Sequence, residues 1–509
     1  MPVFGPVQLL PEDPHDRRLI ENVHPPDWVN PQPASRYNLV VIGGGTAGLV
    51  SAAGAAGLGA RAALVERALL GGDCLNVGCV PSKALVRAAR AVADARDAAR
   101  FGVRVPQGVE ADFPRIMERM RWLRARLSPN DSARRFRELG VDVFLGHGRF
   151  VSRDAVEVAG ARLRFAKAVV ATGARAAEPA IPGLAEAGYL TNETVFALTR
   201  LPQRLAVIGA GPVGCELAQT FARFGAQVSL LSSSHQVLPR EDPEAVAIVR
   251  RALEVDGVEL LLGTRVQSVE PRGTSRRLIY DREGRRGQLE ADAILVGVGR
   301  APNVEDLGLE TAGVAYDARA GVHVDDRLRT TNPRVYAAGD VCSAFKFTHL
   351  SDAHARIVLR NALFPGRGRS VSALTLPWCT YTDPEVGHVG LSERAARERS
   401  LPVGTFTQPL GEVDRAVLDG ETQGFVKVLV REGTDRIVGA TVVARHAGEM
   451  LSELTLAMTA GLGLAKIAET IHPYPTQAEA IRKLADACNR TRLTPRVKRL
   501  IETWFSWRR

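Results

Sequence analysis

Asn38-Leu39-Val40-Val41-Ile42-Gly43-Gly44-Gly45-Thr46-Ala47-Gly48-Leu49 opens the stretch on which the fold turns. A β-branched apolar run meets closely spaced glycines, and an Ala-rich segment follows. The spacing of Gly43, Gly45 and Gly48 predicts a strand, a tight turn and a helix, with the backbone free to approach a pyrophosphate at the helix N-terminus. A second apolar run ends at Glu66, 23 residues after Gly43, where an acid holds ribose hydroxyls. One such pattern is weak evidence. The chain carries it twice: residues 204–233 resemble residues 38–67 at an offset of 166, with Gly209, Gly211 and Gly214 in the matching places. Two copies in strand–turn–helix context imply an α/β fold with two dinucleotide-binding units.

Between the copies lies Gly71-Gly72-Asp73-Cys74-Leu75-Asn76-Val77-Gly78-Cys79-Val80-Pro81-Ser82-Lys83. Cysteine is scarce, six in 509 residues, so Cys74 and Cys79 five positions apart stand out. A pair alone is open to three readings: chance, a zinc half-site or a structural disulfide. Its context favours a fourth. The run begins five residues after Glu66, so the dithiol sits where it can exchange electrons with a bound dinucleotide. A cysteine near the start of the following helix-forming segment, residues 84–89, also gains thiolate character.

Composition narrows the class. A chain of this length needs two to four cores. No apolar run approaches the roughly 20 residues of a membrane-spanning helix. The opening Met1–Pro6 lacks the charged start and apolar core of a signal peptide. Few cysteines without a regular framework fit a reducing, cytoplasmic setting. The net charge is +10, but the excess is local. Residues 489–509 hold seven Lys or Arg against the single acid Glu502, so a nucleic-acid groove is not expected. The apolar positions Leu493, Val497, Leu500, Ile501 and Trp504 recur there at helical spacing, which predicts a basic amphipathic helix suited to an anionic membrane surface or to packing on the dimer. Residues 1–36 are Pro-rich and aperiodic and read as an extended arm, with Pro25-Pro26-Asp27-Trp28 as a docking point.

The Cys74–Cys79 run resembles the redox motif of the flavoprotein disulfide reductases: lipoamide dehydrogenase, glutathione reductase and mercuric reductase. The resemblance spans roughly Tyr37 to Cys488. Val170-Ala171-Thr172-Gly173 resembles the family's crossover motif near the flavin. Gly297-Val298-Gly299-Arg300-Ala301-Pro302-Asn303 resembles the segment closing its nucleotide domain. Tyr336-Ala337-Ala338-Gly339-Asp340 resembles its second flavin motif, whose acid bonds the ribityl chain. Residues 381–387 and 437–440 resemble its interface domain. The resemblance implies FAD, NADPH or NADH, a homodimer, and no structural metal. It implies a division into an N-terminal extension (1–36), an FAD domain in two parts (37–188 and 302–370), an NAD(P) domain (189–301), a dimerisation domain (371–488) and a basic tail (489–509).

The resemblance also implies roles. Cys79 would face the flavin and Cys74 the substrate, with Lys83 beside the reactive edge of the flavin and Glu216 as its ion-pair partner. Cys215, Cys342, Cys379 and Cys488 match no redox position and read as small core residues. His349 and His354 are expected at the start of a helix aimed at the flavin, contributing backbone contacts. The 23-residue offset that reaches Glu66 reaches Ser232 in the second copy. With Ser233 beside it and no acid to repel a 2′-phosphate, NADPH is the expected donor.

One departure is informative. The family presents His-Pro-Thr-x-x-Glu near its C-terminus, the histidine moving protons for the partner subunit's interchange thiol. Here the chain reads Ile471-His472-Pro473-Tyr474-Pro475-Thr476-Gln477-Ala478-Glu479. Aligned on Pro475, Thr476 and Glu479, the histidine is replaced by Tyr474, a phenol with an ordinary pKa near 10 against about 6.5 for His. Mercuric reductases carry tyrosine there too. Their paired C-terminal cysteines have no counterpart, Cys488 standing alone. Three readings follow: electron transfer to Hg(II) held by Cys74 and Cys79; a lipoamide-dehydrogenase-like enzyme using His472 or Tyr474; and a membrane-surface quinone-reducing flavoprotein.

Overall fold

The computed structural model describes residues 9–105 and 108–508; the Met1–Pro6 opening lies outside them. The chain divides into two compact units, each discontinuous in sequence: Met1–Ser233 with Gly263–Ala373, and Ser234–Leu262 with Leu374–Arg509.

In the first unit, strands Val141–Leu145, Ala62–Glu66, Tyr37–Ile42 and Ala161–Val170 lie side by side and parallel, with Val335–Ala337 parallel along the same long strand. Their near-continuous apolar sequences suit strands buried on both faces. Leu39, Val40, Val41, Ala63 and Leu64 are fully buried. Strands Arg149–Ser152 and Ala155–Val158 extend the sheet antiparallel. The same unit holds a second parallel set, Gln227–Ser232, Arg204–Ile208 and Ala293–Val296.

The repeat read in the sequence is also a structural repeat. Gly43 and Gly209 have φ of 109° and 114°, a region closed to most side chains. A Cβ on Gly48 would collide with the Gly43 carbonyl, and one on Gly214 with the Gly209 carbonyl. Each turn thus presses a helix, Thr46–Gly57 or Pro212–Arg223, onto the strand before it. Neither helix has a side-chain N-cap: Gly45 and Gly211 leave the first amides to a ligand.

The extended-arm reading of residues 1–36 is corrected for part of its length. Pro14–Val23 is an α-helix. Asp13 caps it by accepting from the His15 and Asp16 amides, each at 2.9 Å, and Pro14 stands at its first turn, where a missing N–H costs nothing. Leu19 and Val23, one helical turn apart, are fully buried. The many prolines of the segment conceal this window, because they cluster on either side of it. Trp28 does dock, on the chain itself: its Nε1 donates to the Val143 carbonyl at 3.1 Å, and Arg137 lies over its ring.

The second unit is built on an antiparallel sheet in the order Pro377–Thr380, Glu385–Gly390, Ile437–Ala444, Phe425–Arg431, Val403–Pro409. Helices Ala447–Thr459 and Glu479–Thr491 contribute Met450, Leu451, Leu454, Ile481 and Leu484 to its core. Helix Pro495–Trp507, capped by Thr494, has no buried residue. Among the described residues no helix is long and apolar enough to cross a membrane.

Candidate active site

The two cysteines come together because the chain changes helix between them. Cys74 lies in the short helix Gly72–Asn76, entered through Gly71 in the left-handed region. Cys79 is the first residue of helix Cys79–Asp97. The intervening turn is close: the Val77 amide donates to the Asp73 carbonyl at 2.9 Å, and a Cβ on Gly78 would press on that same carbonyl. Both cysteines are free thiols within hydrogen-bonding reach of each other.

Their acidities are driven apart. Cys79 is lowered to about 6, first by the hydrogen bond from Cys74, then by the Thr348 hydroxyl 3.4 Å away and the charge of Lys83, with burial acting against them. Cys74 is pushed strongly up by the same bond and by burial. Lys83 follows Cys79 by one helical turn. Its Nζ donates to Glu216 Oε2 at 2.7 Å, and the Glu216 side chain is 6 % exposed.

The flanking motifs converge as well. Thr172 Oγ1 donates to the Asn303 carbonyl at 2.7 Å and Asn303 Nδ2 returns a bond to the Thr172 carbonyl at 2.9 Å, while the Asn303 amide donates to Gly173. Arg300 pairs with Asp73, donates to the Ala174 carbonyl, and lies 3.7 Å from the Asp340 carboxylate. Burial raises the Asp340 acid and lowers Arg300. Gly339 donates its amide to His354 Nδ1 at 3.3 Å, and burial holds that imidazole near 4. His354 is therefore neutral, a backbone acceptor. Glu66 ends its strand with its carboxylate on the Gly44 and Ala68 amides, beside the first glycine turn. Ser232 ends the equivalent strand of the second copy, half-buried, and Ser233 is exposed. Two uncapped helix N-termini, each behind a glycine turn that a Cβ would fill, and an acid or hydroxyl at each strand end fit two dinucleotides.

Of the other cysteines, Cys215 and Cys488 are buried as expected, whereas Cys342 and Cys379 are only half-buried. Tyr474, His472 and Glu479 belong to the second unit. The Tyr474 side chain is exposed, and its hydroxyl donates to Asp414 Oδ2 at 2.9 Å, which raises the phenol further. His472 has both ring nitrogens engaged, by Glu453 at 2.9 Å and the Thr470 carbonyl at 3.0 Å. Glu479 is buried and receives Arg482 at 2.8 Å. Sequence reasoning missed Thr348 and Asp414, and took Asn303 only as the end of the closing segment, without its bonds to Thr172. Thr348 lies 269 residues from Cys79, and only folding brings it there.

Comparison with known proteins identifies the family. Residues 37–356 match the model of the pyridine nucleotide-disulphide oxidoreductases, and residues 376–485 match their dimerisation domain. A mercuric reductase of Staphylococcus aureus is 35% identical over 88% of this chain and 82% of its own. A dihydrolipoyl dehydrogenase of Chlamydia muridarum is 34% identical over 87% of this chain and 95% of its own. Among solved structures, the HOCl-induced flavoprotein disulfide reductase RclA from Escherichia coli superposes with a TM-score of 0.78 at 30% identity, covering 88% of this chain and 99% of its own. The chain thus belongs to the pyridine nucleotide-disulphide oxidoreductases, enzymes whose members work with FAD and NAD(P)H.

Proposed function

We propose that this enzyme passes two electrons from NADPH by way of FAD to the Cys74–Cys79 pair and on to a thiophilic metal ion, Hg(II) being the best match. The observation that carries the reading is Tyr474 in place of the family's histidine. Its phenol is tied to Asp414 and raised in pKa, so it is a poor base at neutral pH. A disulfide substrate needs protons delivered to its leaving thiolates; a metal ion held by two thiolates does not. Mercuric reductases among the relatives, and a Cu(II) complex solved for RclA, support the same chemistry. The net reaction is Hg(II) + NADPH → Hg(0) + NADP⁺ + H⁺. The dinucleotides, when bound, supply hydride transfer and the relay of two electrons.

The chain's own residues take these parts. Gly43, Gly45, Gly48 and Glu66 hold one dinucleotide with Thr172, Gly173, Gly339 and Asp340. Gly209, Gly211, Gly214, Ser232 and Ser233 hold the other, and Gly299 and Arg300 are further cofactor-binding positions, Arg300 on the side of Asp340. Cys79 is the thiolate against the flavin and Cys74 the thiol that meets substrate. Lys83, paired with Glu216, presents positive charge where negative charge develops on reduction. The His472 alternative is weakened by its two existing partners. In the two-electron-reduced holoenzyme, Cys79→Ala is expected to abolish the long-wavelength absorbance of thiolate against flavin, while Cys74→Ala shows it before reduction. An acid of lowered pKa is ionised above that value, so the wild-type band is present at pH 7 and fades as pH falls through about 6. A pH titration followed in the visible checks both points, and the opposite pattern in the two variants reverses the assignment.

Lipoamide turnover is expected to be slow, and Tyr474→His should raise it. General acid–base catalysis is worth about 10²–10⁴-fold, so even a partial relay is measurable. Parallel assays with Hg(II), dihydrolipoamide and a quinone decide; rapid lipoamide reduction by wild type would sink the metal reading. NADPH should show the higher kcat/KM of the two nicotinamides, because Ser232 stands where an acid would repel the 2′-phosphate; an NADH preference rejects this.

The helix Pro495–Trp507 supports a second, compatible reading: a cytoplasmic enzyme that rests on an anionic bilayer. At 3.6 residues per turn, Trp507, Leu500, Trp504, Val497, Ile501 and Phe505 occupy one arc of roughly 160°. Arg496 and Lys498 flank its two edges and Glu502 lies opposite. Cations bordering an apolar face with tryptophans suit a helix lying in a headgroup layer. Each basic residue near such a surface is worth about 1 kcal/mol, so neutralising Arg496 and Lys498 together should weaken binding to phosphatidylglycerol vesicles roughly 30-fold. Co-sedimentation at low and high salt measures it. No binding by the intact enzyme, or a larger oligomer that dissociates on tail deletion, rules the surface role out.

A further inference from the structure

The helix Pro14–Val23 precedes the region matched by the family, yet it holds the cysteine segment at two places. Asp16, 1 % exposed, accepts from Arg124 Nη2 at 2.6 Å. Arg124, 3 % exposed, donates its Nη1 to the Asn76 carbonyl at 2.8 Å. Asn76 lies between the two cysteines and organises their turn: its Nδ2 donates to the Leu70 carbonyl at 3.0 Å and the Gly72 carbonyl at 2.8 Å. At the other end of the helix, the Val23 carbonyl accepts the Leu70 amide at 3.1 Å, and His24 bonds the Ala68 carbonyl. Asp13, besides capping the helix, takes Arg121 at 2.5 Å. Residues 68–76, the link from Glu66 to the dithiol, are therefore gripped before and between the cysteines.

A buried ion pair is a poor source of stability, since packed apolar residues do as well, but losing one partner strands a charge in the interior. What the pair does supply is direction: Arg124 is planar and donates in a fixed fork, so fixing one edge on Asp16 fixes where the other meets the Asn76 carbonyl. We propose that residues 14–24 are a clamp on the redox centre, with Asp16 and Arg124 acting as positioning residues that set the geometry of the Cys74–Cys79 turn and so the balance between its dithiol and disulfide forms. This rests on Cys74–Cys79 being the redox pair.

The test is the equilibrium of the full-length holoenzyme with dithiothreitol, in which the Cys74–Cys79 disulfide is reduced to two thiols as dithiothreitol closes to its own disulfide. Asp16→Asn keeps the shape and removes the charge. Coupling of this kind carries about 0.5–2 kcal/mol, so the exchange constant should move roughly 2- to 30-fold, and the pH midpoint of the long-wavelength absorbance should move with it. Coupling is reciprocal, so the wild type should also show amides 15–24 exchanging hydrogen at different rates in the oxidised and dithiol forms. An Asp16→Asn holoenzyme with unmoved exchange constant and midpoint overturns the clamp. If that variant does not accumulate, equal amide exchange in the two wild-type forms overturns it. A wild type whose cysteines do not titrate at all overturns the redox reading itself, and the clamp with it.

Discussion

Lys83 and Glu216 meet at 2.7 Å, and the architecture of the first unit converges on that ion pair. Lys83 rides on the helix that begins at Cys79; Glu216 rides on the helix behind the second glycine turn. One contact therefore ties the dithiol to the second dinucleotide unit. Glu216 is buried, and an unpaired carboxylate there would be costly, so the lysine is held where Cys79 feels its charge. That charge is not the main reason Cys79 is acidic. The hydrogen bond from Cys74 comes first and the Thr348 hydroxyl adds to it, whereas Lys83 is partly offset by its own partner. The acidity of this thiol belongs to the turn more than to the lysine.

The same economy runs through the two glycine turns. In each, a helix is drawn onto its strand until only hydrogen fits between them. The uncapped amides that result are a liability without an anion and a binding site with one. Polar groups around the cysteines follow a similar rule. Arg300, Asp340 and Asp73 gather charge beside the dithiol, and Asp16 and Arg124 brace it from beneath.

Local patterns were legible where the chemistry is contiguous in sequence. Gly43, Gly45 and Gly48 announced a turn because their spacing leaves little else to form, and the repeat at Gly209, Gly211 and Gly214 made the α/β class secure. Cys74, Cys79 and Lys83 lie within one short run, so their neighbourhood followed from helical spacing. The helix at Pro14–Val23 was not legible, because its apolar signal is only Leu19, Ile20 and Val23 among polar residues, and its support comes from Arg121 and Arg124 about a hundred residues away. Tyr474 was visible as a departure, but its bond to Asp414, sixty residues earlier, was not.

The sequence by itself determined the family, the two dinucleotide units and the identity of the redox pair's candidates, since these rest on backbone geometry that few residue patterns permit. Only the tertiary structure decided which groups make Cys79 the acidic thiol, what Arg300 reaches, and that a segment read as an arm is a helix locked to the cysteine turn. Those outcomes depend on burial and on hydrogen bonds between residues far apart in the chain, and no local spacing encodes which distant carbonyl, hydroxyl or carboxylate will stand within three ångströms.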